Sequence, residues 1–276
     1  MNKIKIYYLD AFSNQPFKGN PIAVCLIDKD FSIEKMQNIA FELNLSETAF
    51  VYPIDQDNSF ELSKNFTLKW FTPTAEVNLC GHGTLGTSSL IFNEFLNNNP
   101  EIYFKTLSGT HSAKKDNEWI WLNFPLYHAE KYDLPYSLLQ ALKIDNYINA
   151  VISKEAQNLI IEVEDITSVE PDFNELKKIS LPSLGGIILT EKGHGKYDFF
   201  ARYFTPWYGI NEDPVTGSAY SMLAPYWSKI INKKEMLAFQ ASKRGGQIKI
   251  KLSDNIHNRV LIGGQTVMII KGELLV

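Results

Sequence analysis

The chain has 276 residues, of which 45% are hydrophobic and 21% charged, with a formal net charge of −4. That length suits two domains of roughly 100–150 residues each, and the composition is that of a packed globular chain rather than a disordered one. The slightly acidic balance speaks against a nucleic-acid partner, which selects basic surface, and no apolar window is long enough for a membrane-spanning helix.

The opening Ile4-Lys5-Ile6-Tyr7-Tyr8-Leu9 is rich in β-branched and aromatic residues and predicts a strand, not a secretory leader. A turn at 14–16 and then Gly19-Asn20-Pro21 lead into a second apolar run, Ile22 to Ile27. Ser32 is a good N-cap for a helix over 33–43, with Ile33, Met36, Ile39, Ala40 and Leu43 on one face. After Asn44 a strand is expected over 48–52, ended by Pro53. Glu47 therefore falls at a helix-to-strand junction, where a side chain can be aimed rather than simply packed. A strand over 66–71 ends at Thr72-Pro73, and a polar loop then enters Cys80-Gly81-His82-Gly83-Thr84 and a helix over 84–96. Strands at 101–107 and 118–124 close a first half-domain, 1–124. The second, 125–276, reads as a similar alternation of strands with one or two helices, its last strand a candidate to cross back to the first half.

One pattern recurs. Trp70-Phe71-Thr72-Pro73 is followed eleven residues after Phe71 by His82 and a helix start. Tyr203-Phe204-Thr205-Pro206 is followed nine residues after Phe204 by Asp213, then Pro214-Val215-Thr216-Gly217-Ser218-Ala219 and another helix. Two such matches in corresponding positions suggest an internal duplication. Clefts between domains are favoured small-molecule sites, so His82 and Asp213 are expected on opposite walls of one.

A helix N-terminus exposes unpaired N–H groups and attracts anions. The entrances Gly81, Gly83, Thr84 and Thr216, Gly217, Ser218 thus suit a carboxylate and the enolate-like charge left when a neighbouring carbon loses a proton. The alternative is that these glycines only permit close packing. Gly81 to Gly86 also fits the dinucleotide pattern G-x-G-x-x-G, but a Pro-containing loop separates it from the preceding strand, and the match is set aside. Glu47 is a lone acid in an apolar context. Inside a cleft its pKa would rise through burial and a facing carboxylate such as Asp213, which suits a group that takes and returns a proton. His82 is a candidate hydrogen-bond donor or proton shuttle, or simply a capping residue. Cys80 is either a small buried residue or a thiolate at a helix entrance. Trp207 and Tyr208 read as core, with a ligand-lining role as the alternative.

Two cysteines, Cys25 and Cys80, make no disulfide framework and point to the reducing cytosol. Of the histidines at 82, 111, 128, 194 and 257, only His82 has a close potential co-ligand, Cys80. That pair offers too few ligands for a tetrahedral site, and no metal is expected.

Asp10-Ala11-Phe12, Gly19-Asn20-Pro21, Ser46-Glu47-Thr48-Ala49-Phe50, Cys80-Gly81-His82-Gly83-Thr84 and the segment Asp213 to Ala219, with Arg244-Gly245-Gly246, resemble in content and order the phenazine-biosynthesis-like (PhzF) family. The resemblance implies an α+β, diaminopimelate-epimerase-like fold: two pseudo-symmetric half-domains, each a curled, mostly antiparallel sheet around a central helix. It implies a cytoplasmic, cofactor-free homodimer acting on a small-molecule substrate. Glu47 would be the general acid/base, with His82 and Asp213 holding and polarising the substrate. Asn20, Ser46, Cys80, Gly81, Gly83, Thr84, Thr216, Gly217 and Ser218 complete the candidate site. Amino-acid epimerases of this fold use one thiol from each half, and the second-half segment here has none. An isomerase moving a proton between carbons is therefore the leading expectation. An epimerase pairing Cys80 with a carboxylate, and a binding protein without turnover, are the alternatives.

Overall fold

A computed structural model describes residues 3–29, 31–56, 59–180, 184–252 and 258–276; His257 lies outside them. The chain forms two compact units, Met1–Phe124 with Leu261–Val276, and Pro125–Val260. The first contains β1 (Lys3–Ala11), β2 (Asn20–Leu26), α1 (Ile33–Leu43), β3 (Thr48–Pro53), β4 (Asn65–Phe71), β5 (Glu76–Val77), α2 (Gly81–Ser89), β6 (Ile102–Thr106), β7 (Gly109–Asp116) and β8 (Trp119–Pro125). The second runs through β9 (Glu130–Lys131), α3 (Tyr136–Leu142), β10 (Asn149–Ser153), β11 (Asn158–Glu162), α4 (Phe173–Lys178), β12 (Gly186–Lys192), β13 (Phe199–Thr205), β14 (Ile210–Asp213), α5 (Tyr220–Ile231), β15 (Glu235–Gln240) and β16 (Gly246–Leu252). After β17 (Arg259–Gly264), β18 (Thr266–Leu275) pairs antiparallel with β1. Among the described residues no helix is long and apolar enough to cross a membrane.

The duplication is written in the strand order. In the first unit β1 is antiparallel to β2, β2 parallel to β3, β3 antiparallel to β4, and β4 antiparallel to β5 and parallel to β6, which pairs antiparallel with β7. The second unit repeats each step with β10 to β16. The connectors follow suit: α1 joins β2 to β3 as α4 joins β11 to β12, and α2 lies between β5 and β6 as α5 lies between β14 and β15. Among the described residues the second unit forms three α-helices rather than one or two, because Asp172 caps the short α4 through its carboxylate and Leu176 anchors it in the apolar cluster.

Strand register corrects one equivalence. Trp70 pairs with Val77 and Tyr203 with Asp213, so Asp213 matches Val77. Three residues on, Thr216 matches Cys80, and Ser218 matches His82. The residue before β3 is Glu47 and the one before β12 is Gly185, so the second unit repeats the frame without the acid.

Helix α1 forms as expected. Ser32 accepts a hydrogen bond from Lys35 N at 3.2 Å, and Asn44 ends the helix in the left-handed region with its N–H on Ala40 O at 3.1 Å. Met36, Ile39 and Ala40 are buried against Ile4, Cys25, Phe50 and Phe71, while Ile33 remains exposed. Each large side chain so buried contributes ~1.5–3 kcal/mol.

Helix α2 begins at Gly81 rather than Thr84 and gives way at Leu90 to a π-helical turn ending at Glu94. All nine of its residues are buried although the sequence is polar. The hydroxyls of Thr84, Thr87 and Ser88 donate to the carbonyls four residues back, Cys80, Gly83 and Thr84, at 2.6–2.8 Å. A helix that satisfies its own hydroxyls presents small, effectively apolar sides to a core. A Cβ at Gly86 would lie 2.6 Å from Ile22 Cγ2, and one at Gly83 2.6 Å from the Trp70 ring. The small residues let the strands close onto the helix, and that closeness delivers Cys80 and His82 to the site. In the second unit, α5 buries Tyr220, Met222, Leu223 and Trp227, with Trp227 stacked on Phe199. Trp207 packs at the edge of the apolar cluster, but Tyr208 is exposed because a three-residue 3-10 turn lifts it off the core.

Candidate active site

Three loops of the first unit build the main cluster. The first joins β1 to β2. Asp10 is buried and accepts a hydrogen bond from Phe17 N at 2.7 Å, holding the loop against its own strand. Phe12 and Phe17 have φ of 62° and 67°, and Gly19 has φ of +70° with Ala11 O only 2.1 Å from where a Cβ would sit. Left-handed backbone at non-glycine residues is costly and persists where the surroundings enforce it. Here it aims Asn20, the first residue of β2, at His82.

The second loop follows the Asn44 cap and presents Ser46 and Glu47 just before β3. The third is the entrance of α2. Cys80 is its N-cap and its Sγ accepts the Gly83 N–H at 3.3 Å. The Thr84 N–H and hydroxyl both donate to Cys80 O, at 3.0 and 2.6 Å. Cys80 therefore engages the expected donors Gly83 and Thr84, which narrows their role as anion-binding groups.

His82 is the hub. Asn20 Nδ2 lies 3.3 Å from its Nδ1, Glu47 Oε2 3.3 Å from its Nε2, and Ser46 Oγ 3.5 Å from Nε2. Cys80 Sγ is 3.6 Å from Nδ1 and 3.8 Å from Nε2. With the Asn20 amide donating to Nδ1, the ring proton sits on Nε2 and points at the Glu47 carboxylate. Burial pushes the Glu47 carboxyl up to about 7, against a hydrogen bond from the Ser46 hydroxyl that favours the ionised form. The Glu47 side chain keeps 23% of its surface and that of His82 5%, so the carboxylate is the reachable member of the pair.

In the second unit, Asp213, Thr216, Gly217 and Ser218 are brought together at a 3-10 turn, Gly217–Ala219, that leads into α5. The Thr216 hydroxyl donates to Asp213 Oδ2. Gln240, almost wholly buried, accepts from Thr216 N and donates to Asp213 O, both at 2.9 Å. Ser242 donates to Pro214 O at 2.7 Å and accepts from Gly245 N at 3.1 Å. Gly245 itself has φ of +70°, and a Cβ there would strike the Phe239 ring. The Arg244-Gly245-Gly246 segment is thus a turn that keeps Ser242 on the Asp213 loop. Gln240 and Ser242 were not found from the sequence; their one signal is adjacency to that glycine pair.

The chain matches the family described as Phenazine biosynthesis-like protein over residues 9–272. It is 42% identical to an uncharacterized isomerase of Halalkalibacterium halodurans, covering 98% of each chain. It is 40% identical to Phenazine biosynthesis-like domain-containing protein 1 of Mus musculus, covering 99% of each. Among solved structures, a PhzF-family protein of Enterococcus faecalis superposes with a TM-score of 0.89 at 36% identity over 100% of both chains. A predicted epimerase of Pseudomonas aeruginosa shares the fold, with a TM-score of 0.72 at 19% identity over 99% of each chain. With its motifs in order, its duplicated topology and full-length relatives, the chain belongs to the phenazine biosynthesis-like (PhzF) family.

Proposed function

We propose that this protein is an isomerase that moves a proton between carbons of a small carboxylate-bearing metabolite, with Glu47 as general acid/base. The observation that carries this reading is the 3.3 Å approach of Glu47 Oε2 to His82 Nε2, with Asn20 holding the far side of the ring. Glu47 as carboxylate takes the proton from a carbon next to the substrate's carboxyl or carbonyl, and the released electron pair spreads onto that oxygen. The acid form of Glu47 then returns the proton to a second carbon, so no external acid is consumed. His82 Nε2–H donates to the Glu47 carboxylate, or to substrate oxygen while negative charge builds there. A carboxyl raised to about 7 is present in both forms near neutrality, which suits a group that must accept and release in one turnover.

Glu47 is favoured over Cys80 as the proton carrier because Cys80 is only 4% exposed and serves as the α2 cap. Thr216 stands at the equivalent place in the second unit, so a symmetric pair of thiols is absent from the two helix entrances. The name of the Halalkalibacterium halodurans relative, an isomerase, agrees with this class.

The test is incubation in D₂O with a panel of small amino and hydroxy carboxylates, reading deuterium uptake by mass spectrometry. Uptake by wild type that falls about 10²–10⁴-fold in Glu47→Gln supports the reading. Uptake that survives the substitution removes Glu47 from the mechanism.

A further inference from the structure

The sequence offers Cys80 and His82 as a pair with too few ligands for a metal. The fold adds a third, Glu47, from 33 residues upstream of Cys80. One atom from each, the Glu47 carboxylate oxygen, Cys80 Sγ and a His82 ring nitrogen, lies within 4.8 Å of the other two. We infer that Glu47, Cys80 and His82 form a binding site for a thiophilic divalent cation of the zinc(II) class, and that its occupancy blocks proton transfer. Only the blocking rests on the function proposed above; the binding does not.

The spacings of the three ligand atoms are close to those of a zinc site with one open position. Zinc bonds of about 2.0–2.3 Å in a tetrahedron separate neighbouring ligand atoms by about 3.3–3.7 Å. His82 Nε2 stands 3.3 Å from Glu47 Oε2, while Cys80 Sγ lies beside the ring, 3.6 Å from Nδ1 and 3.8 Å from Nε2. The His82 and Cys80 side chains must therefore turn to bring all three ligand atoms onto one ion. Sulfur with imidazole and carboxylate selects zinc-like ions over magnesium or calcium, which want oxygen. The Gly83 N–H donates to Sγ at 3.3 Å, an outer contact that holds the sulfur in place. Asn20 is an outer partner at the far ring nitrogen: an ion on Nε2 would shift the ring proton to Nδ1, and the carboxamide would turn over to accept it through its oxygen. Three protein ligands leave a fourth position for water, bordered by Ser46 Oγ. An ion reaching the cluster past partly exposed Glu47 would occupy the carboxylate and Nε2 together, the two atoms proton transfer uses.

The test titrates chelator-stripped wild-type protein with Zn²⁺ in competition with a chromophoric chelator, and in parallel with Co²⁺, whose thiolate charge-transfer absorption reports on sulfur ligation. One Zn²⁺ per chain, a Co²⁺ charge-transfer band, and affinity losses of at least ~10-fold in Cys80→Ser and in Glu47→Gln are expected. Cys25→Ala should keep the band, because that thiol is buried among apolar side chains and burial pushes its pKa up to about 12. Glu47→Gln decides the matter if Cys80→Ser does not fold. No stoichiometric binding by folded wild type, or a band that survives Cys80→Ser, overturns the site. For the blocking, deuterium exchange should vanish at saturating Zn²⁺ and return on adding chelator. Exchange that continues at saturation overturns the blocking alone. A metal-free protein inert toward every substrate overturns the proposed activity instead, and the binding result stands apart from it.

Discussion

Glu47 Oε2 and His82 Nε2 approach to 3.3 Å across 35 residues of chain, one aimed by the end of a helix and the other by the start of one. The Asn44 cap and the Cys80 cap fix the two backbones, and Asn20 fixes the ring between them. The pair is therefore oriented by the fold itself, and under the proposed function that positioning would lower the barrier to proton transfer.

The raised Glu47 pKa has a consequence for stability. Its folded value of about 7 exceeds the ordinary 4.5, so the folded protein holds a proton that the unfolded chain releases between those values. Stability is then full below pH 4.5 and declines as pH rises toward 7, by at most ~3 kcal/mol. Glu47→Gln, which cannot ionise, should lack that decline. Urea unfolding of both proteins at several pH values, with chelator present, measures the difference. Parallel curves would show that burial does not shift this carboxyl.

Asn20→Ala should release the His82 ring from its fixed tautomer. Nitrogen NMR of the imidazole is expected to show an Nε2-protonated ring in wild type and a mixture in the variant. Exchange activity should fall about 10-fold or more, consistent with the loss of a partner that orients a functional imidazole. An unchanged spectrum would mean that Asn20 does not set the tautomer.

Gly83→Ala should destabilise by ~1–3 kcal/mol, since the new methyl meets the Trp70 ring and Cys80 Sγ at 2.6–2.9 Å. Gly272→Ala is the control, because nothing lies within 4 Å of its Cβ position and its backbone needs no glycine. Thermal melts of the two variants should separate clearly; equal melting temperatures would contradict tight packing around α2.

Gln240→Leu removes the three hydrogen bonds that Gln240 makes to Thr216 N, Thr216 Oγ1 and Asp213 O, and should weaken the fold by ~1–3 kcal/mol. If Asp213 holds substrate, KM should rise more than kcat falls. Equal loss in kcat and kcat/KM would place the loop's effect on the transition state alone.

Much of the architecture was legible in the chain. The Ser32 cap, the apolar face of α1 and the strands β1 to β4 follow from local propensity and periodicity, because each element satisfies its own backbone and buries one face. The repeated Phe-Thr-Pro pattern announced the duplication, since similar segments fold into similar units. The sequence read α2 less well. Its polar, glycine-rich composition conceals a wholly buried helix, because hydroxyls bonding back to their own turn are not visible as hydrophobicity.

The site itself divides in the same way. Motif content singled out Glu47, His82, Cys80 and Asp213 as the residues able to do chemistry. Only the tertiary structure decided that Asp213 corresponds to Val77 and Glu47 to Gly185, that Asn20 lies against the His82 ring, and that Gln240 holds the Asp213 loop. Those relations depend on strand register and on helix caps many residues apart, and distance in space between such residues is not a property of any stretch of sequence.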